Sequence, residues 1–595
     1  MNRLFLLGLG IFLISVGSAW SEPSEVTVQR EGESASLLFN GKPFEVKGVG
    51  GDGDLELFKS TGGNAIRTWG IDENTGKILD AAHAQGIKVA LGYWLGHERH
   101  GFDYSDWDSI ISQADGLFEA VEKYKNHPAL LLWAIGNEME GFNPESNPAI
   151  YTQIEYLAKR VKEIDPNHPT MTVTAEIGKR QIEGLNRFCP SIDIHGINSY
   201  GGVTSIPERY REKGGVKPYL ITEYGPAGTW EVPKNKWGMS DEKSSTDKAS
   251  SYKAAYEAVH ADPLCLGSFA FTWGAKQEAS ATWFGMLLPS GEKTACVDEL
   301  TKLWSGEDPE NFCPEIHSLE LVGDNVLFEQ GQVIEVKLDV SDPEGDELEV
   351  KWVLSEDWKE AAEGGDHRPT PPTYPELILP ESTNAMAKIK LPNSGETYRV
   401  YAFVYDGQGG GASANLSINV KGERKAVPAS KLELPLSLTG AGKTSPWVPS
   451  GWMGDTDKLK LEEDSTENPR EGKSCTKVSF TDGSGWGGVV WQHPAGDWGD
   501  SAGGFDLTGA KSLSFWARGS EGGEKVTVGI GIIGSDKKYY DSVRKHLKLN
   551  LTKDWVKYEI DLSQSDLTRV KSALYFSTSA EGKPFSFYLD EVSIQ

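Results

Sequence analysis

The sequence predicts a (β/α)8 TIM barrel followed by two further all-β domains. A chain of 595 residues is too long for a single hydrophobic core. Between Phe44 and Trp273, eight short apolar runs alternate with amphipathic segments, and after Cys313 the pattern changes to alternating strands. Near-continuous apolar strands followed by helices are typical of a parallel barrel, with an open doubly wound sheet as the alternative.

The barrel is predicted to occupy residues 22–314. Its helical segments, such as ENTGKILDAAHAQG and PAIYTQIEYLAKRVKEIDP, place apolar residues at three- and four-residue spacing, which buries one face of each helix. The strand candidates in chain order are FEVKGVG, NAIRTWG, IKVALGYWLG, ALLLWAIGNE, TMTVTAE, IDIHGINSY, PYLITEYG and CLGSFAFTWG.

Two β-rich regions follow the barrel. Residues 315–422 contain hairpin-forming segments, and the phrase VSDPEGDELEVKW resembles the immunoglobulin-like and cadherin-like modules of bacterial secreted proteins. The polar stretch at 423–431 is predicted to be a linker, and residues 432–595 are again all β. The predicted fold class is therefore a multidomain protein with a (β/α)8 TIM barrel, an immunoglobulin-like β-sandwich and a β jelly-roll domain.

The amino-terminal residues 1–21 have the layout of a secretory signal peptide. Arg3 precedes an apolar run and small residues, so we expect export, with no later segment apolar enough to span a membrane. Five cysteines are too few and odd in number for a disulfide scaffold, although one or two bridges remain open. The sequence does not define an oligomeric state.

Charge and aromatic content narrow the class of partner. A net charge of −28 argues against nucleic acid and anionic membranes, because both require a basic surface. The 19 tryptophans favour a carbohydrate, because flat indole rings stack on the apolar faces of sugars. The predicted partner is therefore a polysaccharide or oligosaccharide.

The polar residues that end the predicted strands are the candidates for catalysis. Catalytic groups of a (β/α)8 barrel lie at the carboxyl ends of its strands, and two of the eight runs end in Glu138 and Glu223. Glycoside hydrolysis requires two carboxyl groups on either side of one bond. The strand ends contain no Cys/His cluster with metal-ligand spacing, no phosphate-binding loop and no G-x-S-x-G motif, so we expect no metal in the barrel and no catalytic cofactor.

The motifs WAIGNE at the fourth strand and LITEYG at the seventh resemble the signature of the retaining glycoside hydrolases of clan A. The resemblance extends over the order of all eight strands. It implies that Glu138 is the general acid/base and that Glu223 is the nucleophile. It also implies that Asn137 holds the 2-hydroxyl of the sugar, a contact that strengthens in the transition state.

The same resemblance assigns supporting roles at other strand ends. Tyr200 is expected to donate a hydrogen bond to the nucleophile, Arg67 to keep the nucleophile ionised, and Trp273 to lie under the sugar bound before the cleavage point. Glu176 is a further candidate for the cleft lining. Glu140 is expected to be a solvated or helix-start acid without a catalytic role. The remaining candidate substrate-binding residues are His195, which is as well explained as an interior barrel histidine, and Asn198, Trp94, Trp230 and Trp283.

The carboxyl-terminal region resembles the jelly-roll carbohydrate-binding modules with a galactose-binding-like fold. The phrases YLDEV and DLTGAKSLSFWARG carry this resemblance. Trp486, Trp491 and Trp498 lie in one glycine-rich stretch and are the predicted sugar-binding platform. Members of this fold often hold a structural calcium ion near the last strand, which implicates Asp590.

These expectations combine into an exported retaining glycoside hydrolase that cleaves β-linked polysaccharide. The phrases EVKGVG, AIRTWGID and ITEYG look most similar to clan members that act on β-1,3-glucans, which makes β-glucan the favoured substrate. A β-glucan transglycosylase, a β-mannanase, a β-galactanase and an exo-β-glycosidase remain alternatives. A polysaccharide-binding protein without activity is the alternative from a different class.

Overall fold

A computed structural model describes residues 23–139, 147–323, 327–357, 370–422, 430–439, 445–534, 537, 539–580 and 582–595. The predicted signal peptide, Glu140 and most of the predicted linker lie outside these residues. The chain divides into two compact units, of which the first runs to Val420 and the second contains Lys421–Gln595. None of the helices in the described ranges is long and apolar enough to cross a membrane.

The first unit contains the predicted barrel. Eight parallel strands pair with their sequence neighbours and the eighth closes on the first, as Phe269 opposite Gly48 shows. The fold class is therefore confirmed for this region, and the open-sheet alternative is excluded. The strands are β1 (Val46–Gly50), β2 (Ala65–Arg67), β3 (Lys88–Tyr93), β4 (Leu130–Asn137), β5 (Thr170–Ala175), β6 (Ile194–Asn198), β7 (Tyr219–Tyr224) and β8 (Cys265–Ala270).

Eight helices surround the barrel in the described residues, one after each strand. Several begin where the sequence supplies a cap: Asp106 accepts from the backbone N–H of Asp108 at the start of α3, and Asn147 caps α4 just before its first-turn Pro148. The helices are α1 (Leu55–Ser60), α2 (Thr75–Ala84), α3 (Trp107–Tyr124), α4 (Pro148–Ile164), α5 (Lys179–Phe188), α6 (Ile206–Glu212), α7 (Ser245–His260) and α8 (Ala295–Ser305).

A short antiparallel sheet covers the amino-terminal end of the barrel. Its strands are Val26–Glu31, Ser34–Phe39 and Lys42–Pro43. Val26 and Leu37 pack into the same apolar cluster as Leu220 and Leu266 from inside the barrel. This end of the barrel is therefore closed. The opposite end, where the strands finish, is the end at which a substrate cleft is expected.

The second part of the first unit is a β-sandwich, as predicted. One sheet contains Glu315–Leu321, Val333–Ser341 and Met386–Lys390; the other contains Leu327–Phe328, Gly411–Val420, Thr397–Tyr405 and Glu349–Glu356. Polar contacts attach this sandwich to the barrel. Arg399 donates to the carbonyl of Ser240 at 3.1 Å, and Asn415 donates to Glu242 at 2.7 Å.

The second unit is another two-sheet β-sandwich, which agrees with the predicted all-β domain. One sheet contains Leu459–Ser465, Cys475–Phe480, Phe585–Ile594, Ser512–Gly519 and Val556–Asp561, with Leu436–Ser437 paired to its long last strand. The other contains Val448–Gly454, Trp486–Gln492, Ser572–Ser579, Lys525–Ile530 and Lys545–Asn550, and Ser430–Lys431 pairs separately with Phe505–Asp506. All five cysteines of the chain are described and none forms a disulfide.

Candidate active site

A cleft of about 350 Å3 opens at the carboxyl ends of the barrel strands. Glu138 and Glu223 both line it, as do Asn137, Asn198 and Tyr200. The structure therefore brings together five residues that the strand-end argument selected from separate parts of the sequence.

Glu223, the penultimate residue of β7, is held by three donors. Arg67 and the indole N–H of Trp69 each donate to Oε1 at 2.9 Å, and the hydroxyl of Tyr200 donates to Oε2 at 2.7 Å. These contacts fix the orientation of the carboxylate and offset its negative charge in a buried position. A carboxylate with a fixed direction of attack is what a nucleophile requires.

Glu138 follows β4 in a left-handed backbone conformation, with φ of 53°. The chain turns here because Gly136 also has positive φ, and a side chain at that glycine would collide with Met139. Burial and the nearby charge of Glu223 raise the pKa of Glu138 to about 7. Glu138 thus keeps its proton to near neutral pH, which suits a general acid.

A chain of side-chain hydrogen bonds connects Glu223 to Glu138 through Arg67, Asn137 and Asn198. Arg67 reaches Asn137 Oδ1 at 2.6 Å with the second arm of its guanidinium. Asn198 Nδ2 lies 3.2 Å from the same oxygen and 2.7 Å from Glu138 Oε1. Oδ1 of Asn137 accepts from both donors, which leaves its Nδ2 to donate elsewhere. The predicted contact with the 2-hydroxyl of a sugar stays a prediction.

Tyr200 serves as a permanent donor to Glu223. Its burial and the negative charge of Glu223 raise the tyrosine pKa well above the usual value, so the hydroxyl stays protonated across the working pH range.

Two of the predicted tryptophans face the cleft from opposite sides of the barrel. Trp94 follows β3, is 43% exposed and stacks on His97 with ring centroids 4.8 Å apart. Trp230 follows β7, is 49% exposed and meets Tyr200 edge-on at 5.7 Å. Both rings are available to stack on sugar units.

Trp273 and Trp283 do not occupy the predicted positions. Trp273 is 4% exposed, packs edge-on against Phe58 and donates from Nε1 to the carbonyl of Asp54. Trp283 is also buried, with its indole N–H bonded to the carbonyl of Ala227. Neither lines the cleft; the aromatic residue from the end of β8 that does so is Phe271.

His195 lies inside the barrel, away from the cleft lining. Its ring nitrogens contact Thr174 at 2.9 Å and Tyr210 at 3.3 Å. Burial lowers the pKa of His195 to about 3, so the ring is neutral and structural. The substrate-binding assignment is therefore wrong and the interior alternative is the better description.

Several residues of the cleft were missed by the sequence argument. Trp69 donates to Glu223, and its position two residues after Arg67, at the end of the second predicted strand, was the available signal. Lys276 and Glu278, from the segment after β8, also line the cleft and form an ion pair at 2.9 Å. Glu176, by contrast, was a predicted candidate for the cleft lining; it does line the cleft and is bound by Arg209 at 2.8 Å.

The three tryptophans of the carboxyl-terminal unit do not form one platform. Trp486 and Trp491 lie on one strand five residues apart, so they point to opposite faces of the sheet. Trp486 is 49% exposed, whereas Trp491 is in the core. Trp498 is partly buried in the following loop. The structure contradicts Trp491 as a ligand contact and leaves Trp486 as the best candidate.

Asp590 acts as an acceptor for backbone groups. One of its oxygens accepts from the N–H groups of Arg470 and Glu471, and the other from Glu591. Among the described residues, no group of three or more His, Cys, Asp or Glu side chains is placed to hold a metal ion. The predicted calcium ion stays a prediction.

Two family models match separate parts of the chain. Residues 41–256 match the TIM barrel domain of glycosyl hydrolases family 2, and residues 442–595 match carbohydrate binding domain 30. The second match supports a carbohydrate-binding module at the carboxyl end. It does not support the predicted galactose-binding-like fold of that module.

Curated relatives that match part of the chain are named β-glucuronidases. One from Streptococcus agalactiae serotype V is 26% identical over 247 residues, which are 34% of this chain and 40% of that protein. One from Sus scrofa is 25% identical over 195 residues, 28% of this chain and 26% of that protein. The chain thus spans less than half the length of the relatives it matches.

The comparison with solved structures finds β-glucuronidase 2 of Bacteroides uniformis, at 15% identity and a TM-score of 0.38, covering 95% of this chain and 67% of that chain. A family 2 β-galacturonidase from Eisenbergiella tayi has 19% identity and a TM-score of 0.39, covering 48% of this chain and 54% of that chain.

Proposed function

We propose that the protein is an exported retaining glycoside hydrolase that cleaves β-linked polysaccharide, with Glu138 as acid/base and Glu223 as nucleophile. The observation that carries this proposal is the contrast between the two carboxyl groups of one cleft. Glu223 accepts three hydrogen bonds that favour a charged nucleophile, whereas the pKa of Glu138 is raised to about 7. Two carboxyl groups with opposite protonation are the requirement for glycoside cleavage.

In the first step, Glu223 attacks the anomeric carbon while Glu138 donates its proton to the departing oxygen. The product is a glycosyl ester on Glu223, which has lost its negative charge. Because that charge is one of the two causes of the raised pKa of Glu138, the pKa falls once the ester forms. Glu138 is then ionised and accepts a proton from the water that hydrolyses the ester.

The favoured substrate is a β-glucan, with β-1,3 linkages preferred. The sequence resemblance of the strand ends supports this choice, as do the exposed rings of Trp94 and Trp230 in the cleft. The match of residues 442–595 to a carbohydrate-binding domain supports a polymeric substrate, because such a module retains its host on a polysaccharide. A galactose-binding-like fold for this module stays a prediction.

β-Glucuronidase activity is the second candidate, because the curated relatives carry that name. The basic side chain of Arg99 in the cleft lining is the feature that favours it. A transglycosylase with the same two glutamates also remains, as do β-mannanase, β-galactanase and exo-β-glycosidase activities.

A polysaccharide panel with reducing-end detection tests the proposal. We expect new reducing ends from a β-1,3-glucan, and products longer than the starting oligosaccharide identify transglycosylation instead. The Glu223→Gln variant should bind the same polysaccharide without cleaving it. Unchanged cleavage by that variant contradicts the assignment, and retention by an inactive wild-type protein identifies a binding protein.

A further inference from the structure

The segment after β8 places an ion pair in the wall of the cleft that the proposed chemistry does not use. Lys276 Nζ lies 2.9 Å from Glu278 Oε2, and both residues line the cleft. The side chain of Glu278 is only 1% exposed, whereas that of Lys276 is 31% exposed. A carboxylate buried to this degree costs free energy unless it is paired, so its presence beside the substrate requires an explanation.

The pair lies on the nucleophile side of the cleft. Lys276 Nζ lies 5.1 Å from the centre of the Phe271 ring, and Phe271 packs edge-on against Trp69, which donates to Glu223. The charge of Glu278 is also among the causes of the raised pKa of Tyr200, the other neighbour of the nucleophile. The sugar that becomes attached to Glu223, the glycone, is therefore the part of the substrate next to this pair.

The segment that carries the pair is held in one conformation. The backbone N–H of Glu278 donates to the carbonyl of Ser280 at 2.9 Å, and Lys248 donates to the carbonyl of Thr282 at 2.8 Å. From the β-sandwich, the hydroxyl of Tyr401 accepts from the backbone of Ala281 at 3.4 Å. The pair is thus part of a preformed surface, which is what selective recognition requires.

We propose that Lys276 and Glu278 select a neutral glycone and reject a uronic acid, an inference that rests on the proposed glycosidase function. The ammonium of Lys276, the more exposed partner, has three N–H donors and can donate to the hydroxyl oxygens of a neutral sugar, while the buried Glu278 balances its charge. A neutral sugar brings no further charge into the cleft.

A uronic acid, in contrast to a neutral sugar, brings a further negative charge into the cleft. Its carboxylate would share the site with Glu278, and the charge of Lys276 is already balanced by that residue. Glu278 is the carboxylate that pairs with the cleft's Lys276, so it offsets the positive charge that would otherwise attract a uronate. The site therefore disfavours the glycone named in the curated relatives.

The test compares kcat/KM for p-nitrophenyl β-glucoside, β-galactoside and β-mannoside with kcat/KM for p-nitrophenyl β-glucuronide, using the full chain. We expect the best neutral substrate to exceed the glucuronide by about 100-fold or more. Glu278→Gln should leave Lys276 uncompensated and reduce this ratio about tenfold, mainly through faster glucuronide cleavage. Lys276→Met should raise KM for the neutral substrate.

Glu231→Gln is the matched control, because Glu231 is another lining glutamate but accepts from the backbone N–H groups of Gly201 and Gly228. We expect Glu231→Gln to keep the ratio of neutral to glucuronide kcat/KM within about twofold of the wild-type ratio. A wild-type preference for the glucuronide overturns the inference. A ratio unchanged in Glu278→Gln, or reduced equally in Glu231→Gln, also overturns it.

Cleavage of none of these substrates contradicts only the exo-β-glycosidase alternative and leaves the cleavage of polysaccharide standing. Binding then decides the inference, measured by the fluorescence of the cleft tryptophans during titration with laminaribiose, cellobiose, mannobiose or glucuronic acid. We expect a neutral disaccharide to bind more tightly than glucuronic acid, and Glu278→Gln to bind glucuronic acid about tenfold more tightly than wild type. Equal or reversed affinities, or no binding of any neutral sugar, overturn the inference.

Discussion

Arg67 donates to Oδ1 of Asn137 at 2.6 Å while its other terminal nitrogen donates to Glu223 at 2.9 Å. One guanidinium from β2 therefore fixes the ends of β4 and β7, which carry the two proposed catalytic glutamates. Lysine cannot reproduce this fork, because its ammonium is a single point charge.

We expect Arg67→Lys and Arg67→Met to lower kcat strongly and to destabilise the fold. Removing the partner of a buried carboxylate typically costs about 3–5 kcal/mol. Activity assays and thermal unfolding monitored by circular dichroism measure both effects. Arg209→Met is the control, since Arg209 pairs with the partly exposed Glu176 and should cost less stability. Wild-type kcat in Arg67→Met contradicts the proposed role.

The raised pKa of Glu138 predicts the alkaline limb of the pH profile. Because the acid must be protonated, kcat/KM should fall as the pH rises through about 7. Glu138→Gln should lose this limb. It should also retain more activity on a dinitrophenyl glycoside, which needs no proton, than on a natural substrate. A limb that persists in Glu138→Gln shows that another group supplies the proton.

Replacement of Glu223 tests the covalent step. Loss of a nucleophile should lower kcat by about 10⁴-fold or more. With Glu223→Gly and an activated β-glycoside, added azide should occupy the vacated space and give an α-glycosyl azide, which nuclear magnetic resonance identifies. The β-glycosyl azide from this variant contradicts the assignment of Glu223 as nucleophile.

Trp94 and Trp273 should respond in opposite ways to replacement by alanine. Trp94→Ala removes an exposed ring of the cleft and should weaken oligosaccharide binding about tenfold with little loss of stability. Trp273→Ala removes a buried ring packed on Phe58 and should cost about 3–5 kcal/mol of unfolding free energy. Calorimetric titration measures the loss of binding and chemical denaturation measures the loss of stability. A Trp273→Ala variant that is stable but no longer binds oligosaccharide would support the sequence-based expectation that Trp273 lies under a bound sugar.

The β-sandwich should influence selectivity through the segment after β8. Asn415 donates to Glu242 at 2.7 Å and to Thr282 at 3.4 Å. Asn415→Ala should reduce the ratio of neutral to uronic acid cleavage about fivefold, the equivalent of one hydrogen bond of ~1 kcal/mol. Asn384→Ala is the control, because Asn384 is bonded within the sandwich to Leu348. Equal ratios in the two variants contradict this influence.

The polar residues that sequence reasoning placed correctly in the cleft share one property: each lies at the end of an apolar run. A strand of a closed barrel has a defined end, so Asn137, Asn198 and Glu223 were predictable from periodicity and the strand-end rule. Beyond the strand end this rule no longer applies. The direction of Trp273 depends on the packing of Phe58 from α1, which no local pattern encodes.

Two other errors and one omission have different physical causes. His195 lies within β6 rather than at its end, so its side chain is enclosed by Thr174 and Tyr210. Trp486 and Trp491 were grouped by proximity in the sequence, although an odd spacing along one strand separates them to opposite faces. The pair of Lys276 and Glu278 was missed because neither residue follows a strand directly.

The contact between Tyr401 and Ala281 shows that the change of fold near residue 314 is not a boundary of the catalytic machinery. A barrel expressed alone would keep both proposed catalytic glutamates but lose a support of the segment that lines the proposed glycone site. Engineering this protein by exchanging barrels or spacers therefore requires the barrel and its β-sandwich to be transferred together as one piece.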